Sequence, residues 1–226
     1  MRGGVIITAG AKESPRVLMR SGICEGCEKI DLKGVGKNLQ DHPVVGVIFE
    51  VEDEGGEDSV VMMGGIWDHY LGTRGVEGVE QGILGTAGFG VGGFFLSPFG
   101  SVGGMPDIQV TVFPRLIDPS FRDDDGERRE GRARMLVTVA LLDAEGRLRV
   151  RPEGGVEPEG EEYLTERDTE RMAWGVEEVR RIFGFEPLSS KVLGEVSPGS
   201  DTVGPSLLSW VRENVKGNNH WAGSCR

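Results

Sequence analysis

Apolar and polar positions along the chain fall into two periods, and each period marks its own elements. Val5 to Ala9 is a short run rich in β-branched residues that stops at Gly10, the pattern of a buried strand. Ser14 follows as a helix cap, with Pro15 at the first helical position, where a missing N–H costs nothing. Val44 to Val51 (VVGVIFEV), Ile108 to Phe113 (IQVTVF) and Met135 to Leu142 (MLVTVALL) read as strands. Gly93 to Ser97 adds a short one. After a turn at Gly146, Arg147 to Arg151 alternates strictly, which suits a strand with one wet face. The best helix runs from Thr165 to Phe183. Thr165 and Asp168 stand at capping-box spacing, and Met172, Val176, Val179 and Phe183 share one face. A smaller helix is expected over Ser206 to Val215, behind Pro205.

Strands that follow one another without helices between them imply an antiparallel sheet, so the pattern predicts an α+β chain. Between these elements lie loops: acidic Glu52 to Asp58, the mixed-charge run Phe121 to Arg134, and Glu153 to Glu162 with its Gly and Pro. Ser59 to Gly100 is dense in glycine and matches neither period.

Composition narrows the function. The chain has 226 residues, enough for one large or two modest domains, and a net charge of −12. That charge argues against nucleic acid as a partner, because phosphates would be repelled. No apolar run approaches the ~20 residues that span a bilayer, so no membrane span is expected. Cys24 and Cys27 have CxxC spacing, but no second CxxC or His pair completes a metal site, and they read as loop cysteines. No metal is expected.

Two motifs carry a family resemblance. Ala9-Gly10-Ala11 through Ser21-Gly22-Ile23 resembles the second signature of the glucose–methanol–choline (GMC) oxidoreductases, and Asn38-Leu39-Gln40-Asp41-His42-Pro43 is a phrase typical of the same flavoproteins. Near the other end, Asn219-His220-Trp221 with Gly223-Ser224 is similar to the family's catalytic-histidine segment, most of all to the version in cellobiose dehydrogenases. The resemblance implies segments of an FAD-binding α/β domain flanking a substrate domain, an antiparallel sheet backed by helices. The expected divisions are residues 1–43, 44–215 and 216–226.

The implied chemistry is oxidation of a small-molecule alcohol or sugar with FAD as hydride acceptor and oxygen or another acceptor downstream. Such a reaction needs a base for the hydroxyl proton, and histidine suits it. Of His42, His69 and His220, the resemblance singles out His220 as that base and leaves His42 and His69 structural. It places Ala9, Gly10 and Ala11 along the adenosine end of FAD, Asn38 and Leu39 on the isoalloxazine side, and Trp221 against the flavin.

Gly88-Phe89-Gly90-Val91-Gly92-Gly93 satisfies GxGxxG, but Pro98 follows too soon for the helix that a dinucleotide fingerprint opens. The family's main FAD fingerprint is otherwise missing, as is its second catalytic His or Asn. The resemblance therefore implies an internal portion of a longer enzyme. A flavin-free binding or structural module derived from such an enzyme is the alternative. Without the fingerprint that holds the pyrophosphate, the chain purified with added FAD is expected to retain little of it. Stoichiometric yellow flavin in the eluate would overturn that expectation.

Overall fold

A computed structural model describes residues 4–52, 72, 91–100, 103–113 and 132–226. The remaining residues, which include His69, most of Ser59 to Gly100 and most of the mixed-charge run, lie outside the described residues, as does the start of the Gly88 to Gly93 string.

The chain begins as an extended segment and enters helix α1 (Gly10–Arg20). Two short strands follow, β1 (Ile23–Cys24) and β2 (Ile30–Asp31), paired in parallel. The main sheet is built from β3 (Pro43–Glu52), β4 (Val91–Phe95), β5 (Ile108–Phe113) and β6 (Arg132–Leu141). A hairpin of β7 (Leu148–Val150) and β8 (Val156–Pro158) precedes α2 (Glu166–Phe183). Then come β9 (Val192–Ser197), α3 (Pro205–Asn214) and β10 (Lys216–Gly217). The main sheet has the order β10-β3-β6-β5-β4, with β9 also paired to β3, and all its pairings are antiparallel. The fold is thus mixed α and β, with an antiparallel sheet and few helices, as the pattern of strands implies.

The core lies between this sheet and α2 with α3. Along β3 every second residue is buried, from Val45 through Val47 and Phe49 to Val51, because side chains alternate faces. The same face of the sheet meets Met172, Val176, Val179 and Phe183 of α2 and Leu207 and Val211 of α3. The Phe49 and Phe183 rings stack with centroids 4.6 Å apart. Thr165 caps α2 with its hydroxyl on the Asp168 N–H, and Asp168 reaches back to the Thr165 N–H, closing the box that the spacing foretold.

One end of the sheet is pinned by a buried ion cluster. Arg171, 2% exposed, donates to Asp107 at 2.8 Å and also to Asp143, and it lies 3.7 Å from Asp168. Asp107 accepts the Ser97 N–H and hydroxyl, both at 2.7 Å, while Asp168 accepts the Glu145 and Gly146 N–H groups. One guanidinium therefore gathers the chain just after β4, just before β5, just after β6, and α2 itself. At the far end of α2, Arg180 makes a two-pronged bond to Glu195 of β9 at 2.8 and 2.9 Å.

Four expectations need correcting. Val5 to Ala9 is not a buried strand: no ladder partner flanks it among the described residues, and Val5 and Ile6 are 88% and 89% exposed. Helix α1 starts at Gly10, so Pro15 is inside it, and Ser14 accepts the Ala9 N–H from within the first turns. A proline there lacks the N–H that would bond Ala11 O, and the Ser224 hydroxyl donates to that carbonyl in its place. Glu153 to Glu162 holds β8, because Val150, Arg149 and Leu148 give Val156, Glu157 and Pro158 strand partners. Cys24 and Cys27 form a disulfide across the turn between β1 and β2.

Removing the central cation leaves the buried Asp107 and Asp168 carboxylates without a countercharge. Arg171→Ala is expected to cost about 3–5 kcal/mol, read as a drop in the urea midpoint, whereas Arg181→Ala, which loses a surface pair with Glu178 and a contact with the exposed Phe185 ring, leaves the midpoint nearly in place. Burial pushes the Asp107 carboxyl up, but bonds from Ser97 and Arg171 outweigh it and hold it below its ordinary range. Its contribution is complete above that ordinary range and is lost as pH falls through the lowered value, so Asp107→Asn should flatten the acid limb of a stability–pH curve.

Candidate functional site

Two distant segments zip together to make the site. Residues 35–44 run antiparallel to residues 216–225: Lys216 and Gly217 pair with Val44 and Pro43, Gln40 and Ala222 exchange both backbone hydrogen bonds, and Gly36 N–H donates to Ser224 O at 2.8 Å. On its other side the first segment bonds the β7 hairpin, with Leu39 and Leu148 exchanging N–H···O bonds of 2.8 and 2.9 Å and Val150 N–H reaching Gly36 O at 2.7 Å.

Asp41 fastens the zipper. Its buried carboxylate accepts the N–H of His42 at 2.8 Å, of His220 at 2.7 Å and of Asn219 at 3.2 Å. Asn219 adopts φ 61°, a left-handed backbone that asparagine tolerates, and this turns its N–H toward the carboxylate. Gly217 leaves room for the carboxylate, since a Cβ there would stand 2.5 Å from Asp41 Oδ2. Gly223 does the same for Asn38: its φ is +85° and a Cβ would meet Asn38 O at 2.8 Å. Asn38 itself has φ 56°, donates its amide to Gly223 O at 3.3 Å, and gives its N–H to Glu159.

Two hollows flank the zipper. The larger is a cleft of about 760 Å³ between the start of α1 and residues 223–226, with Gly10, Ala11, Asn38, Gln40, Gly223 and Ser224 in its wall. Val5, Ile7 and Leu18 add apolar surface to it. The smaller, about 200 Å³, is polar and lined by His42, His220, Asp143, Arg147 and Gln40 among others. Gln40 belongs to both.

Inside the smaller hollow, His42 Nδ1 and His220 Nδ1 are 3.0 Å apart with their rings edge to face at 89°. Burial pushes the His42 imidazole below its ordinary value, His220 adds to that push, and Asp41 opposes it. Its surroundings therefore favour the neutral form of His42, which suits a hydrogen-bonding partner.

Of the residues singled out from the sequence, Gly10, Ala11 and Asn38 share the large cleft. His220 lines the adjoining hollow instead. Ala9 is exposed just before α1, and Leu39 is fully buried against Leu148 and Val150. Trp221 is half-buried on that same cluster, with the Lys12 ammonium 4.9 Å from its ring centroid. Asp41 and Gln40 were given no role by sequence reasoning. Two of Asp41's three partners are 178 and 179 positions away, so no local signal points to them.

The large cleft has small-residue walls and an apolar patch, which suit a flat ring, and it opens at the N-terminus of α1, where helix N–H groups suit an anionic portion. Among the described residues no cluster of three or more His, Cys, Asp or Glu could hold a metal ion.

Asp41→Ala would strand three N–H donors at once. It is expected to cost about 3 kcal/mol and to speed amide exchange at His42, Asn219 and His220 while leaving α2 protected.

Comparison with known proteins adds to this geometry. Residues 2–44 match the family model described as GMC oxidoreductase. The chain is 34% identical over 84 residues to 5-(hydroxymethyl)furfural oxidase of Methylovorus sp. (strain MP688), covering 34% of this chain and 16% of that protein. It is 26% identical over 251 residues to Dehydrogenase pkfF of Emericella nidulans, covering 99% of this chain and 40% of that one. In fold, 96% of the chain superposes on formate oxidase from Aspergillus oryzae RIB40 with a TM-score of 0.72 at 20% identity, covering 43% of that structure. Pyridoxine 4-oxidase, from an organism recorded as Mesorbium loti, gives 0.65 at 22% identity, with 96% and 40% covered. The chain thus spans less than half the length of each of these relatives. Residues 2–44 are thus similar to the GMC oxidoreductases, and the likeness to the solved structures is one of fold.

Proposed function

We propose that this chain supplies the substrate domain and flanking flavin-domain pieces of an FAD-dependent oxidoreductase acting on the CH–OH group of a small alcohol or sugar. The observation that carries the reading is the zipper of residues 35–44 with 216–225. It brings the hollow lined by His220 next to a cleft walled by Gly10, Ala11 and Asn38, the two sharing Gln40. Residues 1–43 and 216–226 belong to the flavin side in this reading, and 44–215 to the substrate side.

FAD, when bound, supplies the hydride acceptor. Gly10 and Ala11 would hold it at the mouth of α1, Asn38 and Gln40 would give it polar contacts, and Leu39 and Trp221, packed on the β7 hairpin, would back that wall. Ala9 would enter only through its backbone. His220 takes the proton of the substrate hydroxyl, which raises electron density at the carbon losing hydride. Asp41 fixes the backbone of both histidines, so the base is positioned before substrate arrives.

Three of the relatives named above are called oxidases of 5-(hydroxymethyl)furfural, formate and pyridoxine, which supports a small-molecule substrate. The Asn219-His220-Trp221 phrase, similar to that of cellobiose dehydrogenases, favours a sugar among these. Oxygen or another acceptor would reoxidise the flavin.

The test joins this chain to the flanking segments that its relatives carry, loads the product with FAD, and measures flavin reduction by alcohols under anaerobic conditions. His220→Ala is expected to slow reduction about a thousandfold. A loss below about tenfold would assign the base elsewhere, and a protein that never takes up flavin would favour a flavin-free binding module.

A further inference from the structure

We propose that His42 is a positioning residue for His220: its Nδ1 accepts the Nδ1–H of His220, which leaves the base's other nitrogen, Nε2, with the free electron pair. The inference rests on the reading of His220 as the base and deepens it. Nothing in the family resemblance assigned His42 beyond a structural place.

The argument starts from the 3.0 Å between the two Nδ1 atoms. Two lone pairs at that distance repel, and two N–H groups clash, so one proton sits between the rings. A neutral imidazole carries its proton on one nitrogen only. If His220 holds it at Nδ1 and donates to His42, Nε2 of His220 is basic and can receive a substrate proton. If His42 donates instead, His220 carries its proton at Nε2 and has no basic nitrogen left outside the pair.

Surroundings of the pair favour the first arrangement. His42 is half-buried and His220 exposed, so charge that arrives is better hydrated on His220. Once His220 is an imidazolium, its Nδ1–H bond to a neutral His42 becomes charge-assisted and shortens. Other ionic groups around the hollow are already engaged. The Asp41 carboxylate is bonded to the backbone N–H groups of both histidines. Asp143 takes Arg171, and the Arg147 guanidinium donates to the carbonyls of Ala144 and Gly146. The Asn218 amide lies 3.5 Å from His220 Nδ1, at the limit of a hydrogen bond, and does not outweigh a contact of 3.0 Å. Buried Asp41 holds the backbone of both residues, which keeps the two rings within reach of each other.

The experiment reads the tautomers directly. The chain has three histidines, so ring-nitrogen NMR signals of the ¹⁵N-labelled full chain can be assigned by single substitutions. At neutral pH the expected spectrum shows His220 with a protonated Nδ1 and a bare Nε2, and His42 with the reverse. His42→Asn, whose side-chain oxygen can stand where Nδ1 stood, should keep the His220 pattern. His42→Leu should let His220 revert to the Nε2–H form usual for free imidazole. A bare Nδ1 on His220 in the unaltered chain, or an unchanged His220 spectrum in His42→Leu, would overturn the proposal. The unaltered chain decides by itself if the leucine variant does not fold, which the four Trp indole signals would reveal. These spectra need no flavin. A normal rate of flavin reduction in His220→Ala would remove the proposed base and leave the ring pairing standing, whereas the wrong tautomer with a thousandfold loss would do the opposite.

Discussion

The site exists because one buried carboxylate holds together two pieces of chain that sequence separates by almost the whole length of the protein. Asp41 has no side-chain cation beside it in its hydrogen bonds; it is satisfied by backbone N–H groups of His42, Asn219 and His220. Such a cradle works only with special backbone on the far side, which is why a left-handed asparagine and a glycine stand where they do. Both imidazoles hang from that cradle. The main chain thus fixes where the two side chains start, and the Nδ1–Nδ1 contact of 3.0 Å sets one ring against the other.

A second buried charge cluster does comparable work at the other scale. Arg171 collects three strand ends and one helix, and so fixes how the sheet meets α2. A cation so placed gives little net stability over apolar packing, yet it resists any shift of the elements that it joins, because each alternative leaves a charge without a partner. Asp143 belongs to that cluster and also lines the histidine hollow. The sheet and the candidate site are thereby mechanically continuous.

How much of this could be read in the amino-acid order depends on how far each interaction reaches. The capping box at Thr165 and Asp168 and the apolar stripe of α2 are local, and they appear as foreseen. Central strands β3, β5 and β6 declare themselves, β5 by alternation and β3 and β6 as apolar runs rich in valine. Strands β9 and β10 do not, since Val192 to Ser197 and Lys216 to Gly217 become strands only through a partner in β3 that lies far upstream. Val5 to Ala9 shows the converse: β-branched composition without a neighbouring strand does not make a ladder. In the site, motif context marked Gly10, Ala11 and Asn38, which do meet at one cleft. Motif context also marked Leu39, where local spacing could not reveal that its side chain turns inward onto Leu148. The pairing of His42 with His220 was out of reach, because it is made by a bond between Asp41 and a segment nearly 180 positions away.

The proline within α1 carries a last consequence. Because Pro15 has no donor to offer, the carbonyl of Ala11 is open to the hydroxyl of Ser224, 213 residues downstream. A helix start usually frays by itself, one turn at a time. Here loosening of the first turns also breaks the bond from Ser224, so protection from exchange around residues 10–15 should rise and fall with that around residue 224.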